Sequence, residues 1–135
     1  MELKAFNVGL ALSKRKDGLK YSLYIGKVNA EFVLGFGHKK YRVAARKSKP
    51  NLFTLKPVAD DAKGQGIFTL QVKDTGQLHM EFPVSLTGKA PVGYEGKGCR
   101  ALMRVFRGGS LQVRRPDAMA LLKAYNLKEW EGSGI

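Results

Sequence analysis

The side chains with the most evident chemistry in this chain are its cations. No acid occurs between Glu31 and Asp60, and that interval holds Lys39, Lys40, Arg42, Arg46, Lys47, Lys49 and Lys56. A second acid-free interval runs from Glu95 to Asp117 and holds Lys97, Arg100, Arg104, Arg107, Arg114 and Arg115. Lysine and arginine donate to phosphate oxygens, and the planar guanidinium can also fork onto base edges. Arg42, Arg46, Arg100 and Arg104 are therefore candidates for reading bases, with Lys39, Lys40, Lys97 and Arg107 holding phosphates around them. Tyr24 and Tyr41, beside the same cations, are candidates for stacking on exposed bases. The plain alternative is a solvated surface, although a surface built only for solubility intersperses both signs.

The whole composition points the same way. In 135 residues there are 24 Lys+Arg against 11 Asp+Glu, a formal charge of +13 and a pI near 10.0. Such an excess opposes compaction by self-repulsion, and its natural use is attraction to a polyanion. Apolar residues make up 44%, enough to form a core, so a single folded domain over 1–135 is expected. The lone Cys99 excludes an intramolecular disulfide and a cysteine-based zinc site. No signal peptide and no membrane span is read, which makes a cytoplasmic protein the expectation.

Catalytic chemistry finds little support. His38 and His79 are the only histidines and have no metal-type spacing. His38, inside a basic turn, is read as a phosphate contact or a solvated loop residue, and His79 as facing outward from a strand. Asp60, Asp61 and Asp74 could gather around Mg²⁺, but adjacent acids in a glycine-bearing linker are more simply solvated. The run Gly93 to Gly98 lacks the order of a phosphate-binding loop, and a tight turn explains it. Neither a catalytic residue, a metal nor a cofactor is expected.

The elements that must position the cations are strands. Leu19, Tyr21, Leu23 and Ile25 alternate, as do Leu78, Met80, Phe82 and Val84, and period two marks half-buried strands. Tyr24 falls on the outer phase. A second alternating run, Tyr41, Val43, Ala45, has its counterpart in Ala101, Met103, Val105. Turns at Lys49-Pro50-Asn51 and at Arg107 to Ser110 lead to the short strands LFTL and LQV. Phe6 to Leu12 and Gly66 to Val72 supply one further strand each. The segment Leu34 to Arg42 matches Val92 to Arg100 without a gap: Gly35 falls on Gly93, Phe36 on Tyr94, Lys39 on Lys97 and Arg42 on Arg100. Two similar repeats over about 18–58 and 76–116 are expected, joined by a polar, glycine-bearing linker. From Pro116-Asp117 the spacing changes to that of a helix over 117–131, whose Leu121, Leu122 and Tyr125 face the sheet or a partner subunit in a homo-oligomer. The fold expected is mainly β, a small barrel built from two strand-rich repeats with a C-terminal helix.

An apolar strand, a short segment over Val28 to Val33, Leu34-Gly35, the turn at Gly37 and a basic hairpin over 41–55 resemble the swapped-hairpin motif of AbrB/MazE-type DNA-binding domains. The second copy offers Phe82-Pro83, Val92-Gly93 and Gly96. The resemblance covers about two thirds of the chain and implies one polypeptide forming the barrel that such domains form as dimers. It also implies duplex-DNA binding in a regulatory role. Lys39 and Lys97 stand where that family usually carries an acid, and Pro91 is unsuited to a helix.

Duplex DNA, met by paired basic strands and hairpin loops, is thus the leading partner. The second reading is single-stranded DNA or RNA held in a basic groove with stacking tyrosines. A third is an acidic protein bound by the same cations.

Overall fold

In the computed structural model, residues 2–46, 49–83 and 98–114 are described, apart from the side chains at 14, 19, 46, 49–51 and 98–100. In chain order the elements are β1 (Glu2–Arg15), β2 (Gly18–Ile25), α1 (Lys27–Leu34), β3 (Lys40–Arg46), β4 (Lys49–Val58), β5 (Ile67–Thr69), β6 (Gln71–Val72), β7 (Leu78–Pro83), β8 (Gly98–Phe106) and β9 (Leu111–Arg114). The strands form one nine-stranded sheet in the order β5-β3-β4-β9-β8-β1-β2-β7-β6, antiparallel at every pairing.

The two edge strands of this sheet are consecutive pieces of one segment. β5 pairs with β3 and β6 pairs with β7, and only Leu70 separates them. Leu70 is buried, and its N–H donates to the Lys39 carbonyl at 2.8 Å. The segment thus passes its hydrogen bonding from one edge to the other, which curls the sheet into a nearly closed barrel. Closure leaves few unpaired edge groups to attract other chains.

Alternation along the strands decides what the barrel encloses. Leu10 and Leu12 of β1, Tyr21, Leu23 and Ile25 of β2, Leu78, Met80 and Phe82 of β7, Met103 and Val105 of β8, and Leu111 and Val113 of β9 all point inward and are buried. Tyr21, Phe53 and Phe82 meet at its centre with ring centroids 5.4 to 5.8 Å apart, in the tilted and edge-on geometries aromatic pairs favour. α1 lies where β2 stops and β3 starts, adding Ala30 and Val33 to the same core.

Several boundaries differ from those the sequence implies. Lys49-Pro50-Asn51 is strand rather than turn, because proline is tolerated at the start of a strand, here next to the irregular pairing at Ala45/Arg46. Pro57 does not end β4 either. It pairs with Tyr41 at a level where β9 no longer accompanies β4, so its missing N–H leaves no ladder bond unmade. The single strand expected over Gly66 to Val72 is broken at Leu70. The expected helix over 117–131, any subunit contact through it, and Lys97 lie outside the described residues.

Candidate nucleic-acid interface

The outward phase of β3, β4, β9 and β8 gathers four exposed cations. Arg42 and Lys56 are directly opposite each other in the β3·β4 pairing, and Thr54, Gln112 and Arg104 form the next row across β4, β9 and β8. Leu52, Arg114 and Leu102 form the third. Arg42, Lys56, Arg104 and Arg114 are all exposed. No acid occurs anywhere in these four strands. Among the described residues only Glu2 forms an ion pair with them, meeting Arg104 at 3.2 Å across the β1·β8 boundary.

Between the cations the floor is shallow and made of small or uncharged groups. Arg42, Ala44, Ala45, Leu52, Thr54, Lys56 and Gln112 line a depression on this face. Like charges directly opposite on neighbouring strands destabilise a sheet, so the Arg42–Lys56 pair works against the fold unless an anion joins it.

Two loops extend the face at one end. Arg107 opens the β8–β9 turn, where Gly108 and Gly109 both adopt positive φ, 88° and 92°. His38 Nε2 lies 3.0 Å from the Gly108 carbonyl oxygen, which accepts from it in the tautomer bearing hydrogen there. A Cβ at Gly109 would stand 2.7 Å from His38 Cδ2, so the histidine ring rests directly on the glycine backbone. This contact ties the loop carrying exposed Lys39 to the turn carrying exposed Arg107, next to the Arg42–Lys56 end of the sheet. His38 is therefore a half-buried brace between the two loops.

The remaining candidates fall elsewhere. Lys40 is half-buried, its Nζ donating to the Ala62 carbonyl at 3.2 Å, so it anchors the β4–β5 connection. Arg46 and Arg100 occupy positions on β3 and β8 respectively. Tyr41 is a correction: it is 0% exposed, inside the barrel, and offers no face to a base. Its hydroxyl has no hydrogen-bond partner among the described residues, and burial pushes its pKa up to about 12. Tyr24 does lie on the outer phase, but it is half-buried over Gly9 and stacked on His79 at 4.7 Å. His79 shares that outer phase, yet both its ring nitrogens are buried without a hydrogen bond among the described residues, Nε2 lying 3.9 Å from a Glu81 oxygen. Burial and the nearby Lys73 charge lower its pKa.

The β2–β7 side contrasts with the basic face because its cations are paired. Arg15 donates to Glu81 at 3.0 Å, and that bond holds the Glu81 carboxyl below its ordinary pKa. Lys20 pairs with Asp17 at 3.0 Å. Among the described residues, no carboxylate pairs with Arg42, Lys56 or Arg114 in this way.

No protein-family model, curated protein or solved structure matches this chain. Among the described residues, no three His, Cys, Asp or Glu side chains gather where they could hold a metal ion, and no helix is long and apolar enough to cross a membrane.

Lys56 and Arg114 were not singled out as site residues by the sequence pattern, though both lie in or beside the acid-free runs. Lys56 follows the inward Leu55 by one position, so alternation alone sends it outward, and a hairpin register would have set it opposite Arg42. Arg114 follows the inward Val113 in the same way.

Proposed function

We propose that this protein binds duplex DNA without catalysis, through the outward face of β3, β4, β9 and β8, in a role like that of a transcription regulator. The observation that carries the reading is the Arg42–Lys56 pair, with Arg104 and Arg114, on four strands that contain no acid. The convex outer face of these strands can lie against a duplex, with arginines directed toward the groove and loop cations holding the backbone. Lys39 and Arg107, brought together by His38, fill that second role.

The rings support the duplex over single strands. Stacking a splayed base requires an exposed aromatic face. Tyr41 is enclosed in the core and Tyr24 already stacks on His79.

The proposal extends to the origin of the barrel: two copies of a strand-rich unit, about 18–58 and 76–116, joined in one chain. The gapless match of Leu34–Arg42 to Val92–Arg100 supports it, as do the equivalent hairpins β3·β4 and β8·β9. A swapped-hairpin domain of the AbrB/MazE kind would place a basic hairpin from each copy in this way.

The test is a titration of a labelled duplex with the native chain and with an Arg42→Ala/Lys56→Ala variant. Each lost phosphate contact is worth roughly a tenfold loss or less near physiological salt, so the double variant is expected to bind about ten- to a hundredfold more weakly. Equal affinity of the two proteins would overturn this assignment of the site. Tighter binding of single strands by the native chain would transfer the proposal to strand protection.

A further inference from the structure

We infer that the basic face is arranged about an approximate twofold axis passing between β4 and β9, and that its target is an inverted repeat in duplex DNA, one half-site for each half of the chain. This rests on the duplex-binding reading above and adds the symmetry of the site recognised.

The pairing pattern supplies the argument. Exchanging β1, β2, β3 and β4 for β5/β6, β7, β8 and β9 leaves the neighbour relations of the sheet unchanged. Under that exchange β1·β2 becomes β6·β7, β3·β4 becomes β8·β9, and β1·β8 becomes β5·β3, while β2·β7 and β4·β9 map onto themselves.

The registers obey the same exchange. Ala11↔Gly98, Leu10↔Cys99 and Gly9↔Arg100 in β1·β8 correspond to Thr69↔Lys40, Phe68↔Tyr41 and Ile67↔Arg42 in β5·β3, every residue displaced by the offset that sets Arg42 on Arg100 in the sequence match. The registers of β3·β4 and β8·β9 require β4 to be displaced onto β9 by two residues more than β3 onto β8; with that displacement Leu52↔Arg114 corresponds to Gln112↔Thr54 and Phe53↔Val113 is its own counterpart, which fixes where the axis crosses the sheet. On the far side Tyr21↔Phe82 corresponds to Met80↔Leu23, and Ser22↔Glu81 is its own counterpart. The agreement of β1·β8 with β5·β3 is the one that a local likeness of two basic stretches would not produce, since an antiparallel pair exchanged with itself, as in β4·β9 and β2·β7, keeps its register at any offset.

The axis emerges through the middle of the basic face, and it relates Arg42 to Arg100 and Arg46 to Arg104 as positions on the sheet. The first two are separated by six residues along the strands and three strand spacings across them. That is roughly 20 Å by 14 Å, a diagonal of about 24 Å. A duplex rises about 3.4 Å per base pair, so one laid along that diagonal would set the two positions about seven base pairs apart, the curl of the barrel shortening the span. Duplex DNA has twofold axes across its grooves, and a surface with a matching axis gains equal contacts from both halves only where the sequence is an inverted repeat.

Selection of tight binders from a randomised duplex library by the full chain, washed at raised salt, tests this. The expected product is an inverted repeat with equivalent blocks centred about seven base pairs apart, and Arg42→Ala and Arg100→Ala should each lose affinity for it to within about twofold of one another. An asymmetric motif, a direct repeat, or binding with no sequence preference would overturn the symmetry while leaving duplex binding in place. Recovery of no duplex at all would overturn both.

Discussion

At the scale of single residues, the most informative side chains are those whose surroundings depart from their position in the pattern. His79 sits on the outer phase of β7 and yet is enclosed, with Tyr24 stacked against it and neither nitrogen hydrogen-bonded among the described residues. Burial first, then Lys73, with Arg15 adding to them and Glu81 opposing, lowers its pKa from 6.5. The unfolded chain therefore takes up a proton that the folded barrel resists, so stability is complete above about pH 6.5 and falls as the pH drops toward the folded value. Glu81 is lowered as well, from 4.5, so its contribution is lost only in more acid solution. Urea unfolding measured between pH 5 and pH 7 should show stability declining on acidification, and His79→Phe, which keeps a ring against Tyr24, should flatten that decline. A variant with the native pH profile would mean that another group titrates there. Tyr41 shows the complementary case. Its neighbours Lys40 and Arg42 are basic, but it shares the inward phase of Val43 and the barrel encloses it.

At the scale of elements, alternation made the strands legible and chain chemistry made some of their ends illegible. β2, β7 and β8 could be traced because an apolar residue at every second position has only one way to bury itself on a sheet. The break at Leu70 could not, because a buried leucine between two short strands has the same pattern as one continuous strand; only the pairing of its flanks with different edges distinguishes them. Pro50, a residue typical of turns, is the second residue of β4. The loop brace was equally hidden, since His38 and Gly108 are far apart in sequence and no local pattern joins them. That brace yields a test at its own scale. Gly109→Ala would set a Cβ 2.7 Å from His38 at a φ of 92°, combining a clash with backbone strain. A loss of roughly 1 to 3 kcal/mol in denaturant unfolding is expected, together with weaker duplex binding as Lys39 and Arg107 are set apart. Unchanged stability would show that the two loops are not held by this contact.

At the scale of the whole molecule, the barrel separates its charge by side. Around β2 and β7 the cations have carboxylate partners, as in Arg15–Glu81 and Lys20–Asp17. Across β3, β4, β9 and β8, strands without acids, Arg42, Lys56 and Arg114 are exposed and have no carboxylate partner among the described residues, and only Arg104 is paired, with Glu2. The candidate cations were legible in the sequence because acid-free runs are visible there. Their assembly was only partly legible, because Arg42, Lys56, Arg104 and Arg114 meet through a β4·β9 pairing between segments far apart in the chain. The central claim is that this assembly neutralises the backbone of duplex DNA, and the most direct measurement is fluorescence anisotropy of a labelled duplex and its single strand across a salt series. Four strand-borne cations predict a plot of log K against log salt for the duplex that falls with a slope of about −3.6 or steeper, with tighter binding than to the single strand. The slope should become shallower by about 2 in the Arg42→Ala/Lys56→Ala variant. A duplex affinity insensitive to salt, or a slope that the variant leaves unchanged, would contradict the account.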